Sequence, residues 1–137
     1  MKKVLGVVFA ILIILGAIFI FIPKDKEVTV ELNTRYVSMD EITEIMEQNE
    51  GYVILDVRTH EEYNEGHIPN AICIPNETID ESVINELPDK NQLILIYCRS
   101  GNRSKQATKK LENLGYTYLV EFGGIIDWNG EVVKQKR

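Results

Sequence analysis

The sequence predicts an α/β domain, with a central parallel sheet of about five strands flanked by helices and preceded by one transmembrane helix. Three observations support this. Short apolar runs at residues 52–57, 71–74, 93–97 and 118–122 alternate with segments of helical spacing, as happens when parallel strands are joined by helices that cover the sheet. The run Leu93-Ile94-Leu95-Ile96-Tyr97 is apolar at every position, which suits a strand buried on both faces. Residues 4–22 are nineteen positions without a charge, so a helix there has no polar face to turn to water.

At 1.5 Å per residue, that first segment reaches roughly 28 Å as a helix, about the thickness of a hydrocarbon core. A cleaved signal peptide is the competing reading. Its apolar region runs to about 7–15 residues and ends on small residues, whereas this one exits through Phe19-Ile20-Phe21-Ile22-Pro23-Lys24. Residues 1–22 are therefore expected to be a membrane anchor, with secretion after cleavage as the alternative. Lys2 and Lys3 precede the span, while Lys24 and Lys26 follow it. With the terminal amine counted, the bias puts the N-terminus inside and the domain on the extracytoplasmic side of a bacterial-type membrane. Residues 23–35 read as a polar linker, with a short extended piece at 28–32, and residues 36–135 as the folded domain.

Within the domain, Ser38-Met39-Asp40-Glu41 matches a capping box, and Ile42, Ile45 and Met46 stripe a short helix that ends before Gly51. A strand follows at 52–57. Thr59-His60-Glu61-Glu62 is a second capping box, opening a short helix that Gly66 stops. The strand at 71–74 is closed by Pro75, and Ile79, Val83 and Leu87 predict a helix before Pro88. After the strand at 93–97, Ala107, Leu111 and Leu114 stripe a helix ended by Gly115. The last core strand, 118–122, leads to Gly123-Gly124 and a short piece around Trp128.

Composition narrows the function. Beyond residue 22 there are 13 basic against 21 acidic residues, a net charge of −8. A protein that neutralises phosphates needs the opposite sign, so nucleic acid is excluded as a partner. The 115 residues after the anchor suit one domain with one core. Cys73 and Cys98 lack CxxC spacing and make no disulfide framework, and two histidines add no convincing metal site.

The central strand runs straight into Cys98-Arg99-Ser100-Gly101-Asn102-Arg103-Ser104. This puts a sulfur at the carboxyl end of a parallel strand, where open α/β sheets bind ligands. It also puts the sulfur at the mouth of a helix, where free N–H groups and the dipole favour an anion. A thiol so placed loses its proton more readily than a free one. Cys98 is a candidate nucleophile on these grounds alone.

Five blocks then resemble a known family. Leu55-Asp56-Val57-Arg58, Glu61-Glu62-Tyr63, Gly66-His67-Ile68-Pro69-Asn70-Ala71, the loop from Cys98 to Ser104, and Gly123-Gly124-Ile125 with Trp128 are similar, in order, to a rhodanese homology domain over about residues 36–133. The resemblance implies a rhodanese-like fold and a single-domain sulfurtransferase. Cys98 would accept a sulfane sulfur from thiosulfate or a low-molecular-weight persulfide, and pass it to cyanide or a thiol. The N–H groups of Arg99, Ser100, Gly101, Asn102, Arg103 and Ser104 would stabilise the ionised sulfur and hold the persulfide, with no metal or organic cofactor. Arg103 can offer a forked donor to an anionic sulfur donor, and Arg99 can point outward to guide anions in. Gly101 and Asn102 tolerate the positive φ of a tight loop.

The resemblance also implies that Asp56 and Arg58 brace the active loop, where the residues alone equally allow a surface ion pair. His67 reads as a supporting turn histidine bonded to nearby backbone rather than as a general base. His60 reads as an exposed first-turn residue, and Trp128 as core or pocket wall. Cys73 is either a packed strand residue or a resolving thiol. The close Gly130-Glu131-Val132-Val133 lacks the proline and the longer spacing usual in relatives.

Loop length bears on the chemistry. Related phosphatases and arsenate reductases use Cys-x5-Arg, whereas Cys98 and Arg103 are spaced Cys-x4-Arg and the seventh position is Ser104. Phosphatase activity is the enzymatic alternative. A persulfide carrier or docking module at the membrane is the non-enzymatic one.

Overall fold

The computed structural model describes residues 33–135. The expected anchor and the extended piece at 28–32 lie outside the described residues. Among those described, no helix is long and apolar enough to cross a membrane. Five strands form one sheet: β1 (Asn33–Tyr36), β2 (Val53–Asp56), β3 (Ile72–Cys73), β4 (Leu93–Cys98) and β5 (Tyr118–Gly124). Every pairing is parallel, in the order β1-β5-β4-β2-β3. Among the described residues three helices flank it: α1 (Met39–Gln48), α2 (His60–Glu65) and α3 (Asn102–Asn113).

Alternation along the strands splits the core in two. Leu55, Val57, Ile94, Ile96, Cys98 and Leu119 face α3 and pack on Ala107 and Leu111. Ile54, Leu95, Tyr97, Val120 and Phe122 face the other way, onto Ile42 of α1 and Ile68. Both capping boxes form: the Ser38 and Thr59 side chains accept from the N–H groups of Glu41 and Glu62, whose carboxylates return to the cap backbone.

The structure differs from the sequence reading at two places. The segment read as linker contributes β1, whose register with β5 runs from Asn33↔Tyr118 to Tyr36↔Glu121. Its burial is mostly exposed, because it is an edge strand, and so it carries no apolar pattern to read. The helix expected from Ile79, Val83 and Leu87 is not formed. A 3-10 turn at Asn76–Thr78 is followed by irregular chain. Ile79 and Leu87 are buried but Val83 is 83% exposed, so the three do not share a face. The Ser82 N–H donates to the Asp80 carboxylate at 2.7 Å, a local bond that competes with helix formation.

Candidate active site

The site is assembled where β4 ends and α3 begins. Gly101 has φ +110°, in the region glycine enters freely, and it caps α3. That turn folds the loop back over the sulfur, so the Gly101 N–H donates to Cys98 Sγ at 3.0 Å. A bulge on the neighbouring strand makes room: two steps on β4, Ile96 to Cys98, face three on β5, Glu121 to Gly124. Gly124 lets the loop lie directly against β5. A Cβ there would stand 1.9 Å from the carbonyl oxygen of Arg99.

Cys98 is 1% exposed. Burial pushes its thiol up, but the Ser104 hydroxyl and the N–H groups of Ser104, Gly101 and Ser100 outweigh that and leave it below the ordinary value. The loop therefore brings Ser100, Gly101 and Ser104 to the sulfur. Asn102 needs no positive φ, since it is the first residue of α3. The Arg99 side chain is exposed and lines a cavity of about 450 Å³ with Arg58, Glu62, Glu65, Gly66, Ile125 and Ile126.

Arg103 is placed otherwise than expected. Its fork is closed on a carboxylate of the protein, with one nitrogen 2.7 Å and the other 2.9 Å from the oxygens of Glu62. That contact holds Glu62 down to about 2, assisted by the Thr59 backbone, and raises Arg103. The guanidinium thus ties α3 to α2 instead of standing open to an anion.

Asp56 and Arg58 are not a surface pair. Both are buried. Arg58 donates to Asp56 through Nε, at 3.0 and 3.1 Å, and through a terminal nitrogen, at 2.6 Å. The same terminal nitrogen donates to the Gly66 carbonyl at 2.7 Å. The Tyr97 hydroxyl donates to Asp56 at 2.6 Å and accepts from the Ile68 N–H at 3.1 Å. The network braces the turn at 66–68 and the residue before Cys98. Its contacts are with neither the sulfur nor the loop beyond it. His67 Nδ1 lies 2.8 Å from the Tyr63 carbonyl, the rings stack at 3.7 Å, and its backbone forms an antiparallel bridge with Val133. That bridge, with the Trp128 indole donating to Glu131 O at 3.0 Å, holds the close that departs from the family pattern.

Cys73 pairs in register with Asp56, and Asp56 in turn with Tyr97, so β2 stands between the two cysteines. Two strand spacings are about 9.5 Å, beyond the roughly 7 Å between Cα atoms that a disulfide spans. Burial, then the Asp56 charge, pushes the Cys73 thiol up to about 11. These two facts favour a packed strand residue over a resolving thiol.

Two site residues escaped the sequence reading. Glu62 reads as half of a capping box and as part of the Glu61-Glu62-Tyr63 block, and neither signals its pairing with Arg103. Glu121 sits inside an apolar strand, 2% exposed, with Oε1 accepting from the Ser104 hydroxyl at 2.5 Å and from the Gly123 N–H at 2.9 Å. A charge in the run Leu119-Val120-Glu121-Phe122 was the available signal.

Residues 38–131 match the family model described as the rhodanese-like domain. Thiosulfate sulfurtransferase PspE of Escherichia coli (strain K12) is 38% identical over 73 residues, covering 53% of this chain and 70% of that protein. Putative sulfur carrier protein YrkF of Bacillus subtilis (strain 168) is 33% identical over 96 residues, 69% of this chain, which spans about half (51%) of that protein. Among solved structures, a rhodanese-like domain protein from Staphylococcus aureus aligns with a TM-score of 0.64 and 33% identity, covering 74% of this chain and 99% of that one.

Proposed function

The chain belongs to the family of rhodanese-like domains, and from that premise we propose that it is a sulfurtransferase in which Cys98 carries the sulfur as a persulfide. The observation that carries this reading is one buried sulfur at the mouth of α3 that accepts the Gly101 N–H at 3.0 Å, among loop donors that keep its thiol below the ordinary value despite burial. A thiolate held this way can attack the outer sulfur of thiosulfate or of a low-molecular-weight persulfide. The new S–S bond forms as the donor's S–S bond breaks, and sulfite or a thiolate leaves with the electron pair. The same donors then face the inner sulfur of the persulfide, which leaves as a thiolate when cyanide or a thiol takes the outer one. Arg99, exposed on the wall of the neighbouring cavity, is the cation placed to attract an anionic donor. The nineteen apolar residues at 4–22 support a site held at the extracytoplasmic face of a membrane.

Mass spectrometry after exposure to thiosulfate tests this directly. One added sulfur, about 32 Da, is expected on the peptide holding Cys98 and not on that holding Cys73. No gain with thiosulfate or any persulfide donor would refute the reading. Likeness to a protein named a putative sulfur carrier favours a second possibility, that the chain holds sulfur for a partner without turning over. A loaded chain that gives its sulfur to neither cyanide nor small thiols would establish it.

A further inference from the structure

We propose that the cavity on the α1 side of the sheet, walled by Trp128 and Glu131, binds a small organic cation, an ammonium carried on an apolar body. The cavity lies apart from Cys98, whose sulfur packs with the core on the α3 side, so sulfur loading does not bear on it.

The cavity measures about 370 Å³, within the size range of small-molecule sites. Water takes about 30 Å³ per molecule, so the space suits a ligand of roughly a dozen non-hydrogen atoms. Its floor is Ile54 and Ile68, 7% and 2% exposed, and Met46 of α1 and Tyr52 stand at its walls. These residues give an apolar body its contacts. Trp128 adds a second aromatic wall, and its ring is fixed. The indole N–H donates to the Glu131 carbonyl at 3.0 Å, and the ring lies tilted against Phe122 at 6.3 Å. Gly130 is so close that a Cβ there would stand 2.5 Å from Cζ2 of the indole. The short close Trp128-Asn129-Gly130-Glu131, where the chain departs from the family pattern, thereby builds one side of the cavity. A wall already held in place costs a ligand little to order.

Charge selects the ligand. Glu131 lines the cavity, whereas no lysine, arginine or histidine does so among the described residues. The Glu131 carbonyl serves the indole, but its carboxylate enters no ion pair among the described residues. Asn70, exposed, is the other polar residue of the lining and is neutral. A carboxylate beside two aromatic rings attracts a cation through its own charge and through the ring quadrupoles. An anion would meet that carboxylate as a like charge, and the net charge of −8 beyond residue 22 adds to the bias. The cavity beside the catalytic loop differs in this respect, since Arg58 and Arg99 line it.

Trp128 is the single tryptophan of the chain, so its fluorescence reads the cavity directly. The test titrates 2-phenylethylammonium against two compounds of similar shape, neutral 2-phenylethanol and anionic phenylacetate. The amine is expected to change Trp128 emission saturably, with a Kd of about 1 mM or tighter. Either analogue should bind about tenfold more weakly. Glu131→Gln keeps the backbone carbonyl that holds the indole and removes the charge. The amine should bind this variant about tenfold more weakly, with 2-phenylethanol unmoved. Amide NMR shifts induced by the amine in the parent chain cover the case in which the variant fails to fold. They should appear at Met46, Tyr52 and Asn70 and not at Cys98 or Gly101. N-acetyl-lysine methylamide bound as tightly as the amine makes the source a peptide side chain, and weaker binding makes it a free amine; the class of ligand holds in both. No saturable response, equal binding of the alcohol or the acid, shifts centred on Cys98, or undiminished amine binding by Glu131→Gln would each overturn the proposal.

Discussion

Arg103 and Glu62 form a two-pronged ion pair, 2.7 and 2.9 Å long, that joins the first turn of the helix after Cys98 to the first turn of the helix after β2. The pair is about one-quarter to one-third exposed, and its strength is modest accordingly. Glu62 is held down to about 2, so the pair's stability is present above the ordinary glutamate range and is lost as pH falls toward about 2. Arg103→Ala is expected to cost about 0.5–1 kcal/mol in urea unfolding at neutral pH. It should also return Glu62 toward its ordinary range by NMR titration. No change in Glu62 would show the pair is not formed in solution.

The Asp56–Arg58 pair behaves differently because water does not reach it. Asp56→Asn leaves the guanidinium buried against a neutral amide, with one acceptor oxygen where Arg58 and Tyr97 now use two. A loss of about 3–5 kcal/mol follows, the range for breaking one side of a buried pair. Equal denaturation midpoints for variant and parent would count against it.

The two thiols should label in opposite order. Cys98 lies below the ordinary thiol range and Cys73 near 11. At neutral pH a small alkylating reagent is expected to mark Cys98 first, read by peptide mass. The Cys73 thiol also carries a stability sign. Its folded value lies above the unfolded one, so stability is full below the ordinary thiol range and declines as pH rises through about 11.

Gly124→Ala tests the fit of the loop against β5. The new methyl would meet the Arg99 carbonyl at 1.9 Å, and backbone cannot step aside as a flexible side chain does. The loop must shift, so Cys98 alkylation at neutral pH should slow by about tenfold or more as the N–H donors leave the sulfur. Parent-like reactivity would show the loop tolerates the methyl.

Much of this was readable from residue order. The apolar run of β4, the capping boxes at Ser38 and Thr59, and the stop at Gly66 are local signals, and each is formed. What escaped was set by tertiary partners. β1 pairs as an exposed edge, so its residues carry no pattern. The partner of Arg103 is 41 residues away, and the partner of Ser104 is 17 away. The Tyr97 hydroxyl that bonds buried Asp56 is also 41 residues away. The Ile79, Val83 and Leu87 spacing misled because Asp80 offers its own turn a bond.

With β2 standing between Cys73 and Cys98, a sulfur loaded on Cys98 has no second thiol within the fold to which it can pass. Each molecule is then a one-place shuttle, emptied solely by collision with an outside acceptor. Its turnover should obey ping-pong kinetics, with parallel double-reciprocal lines as donor and acceptor are varied.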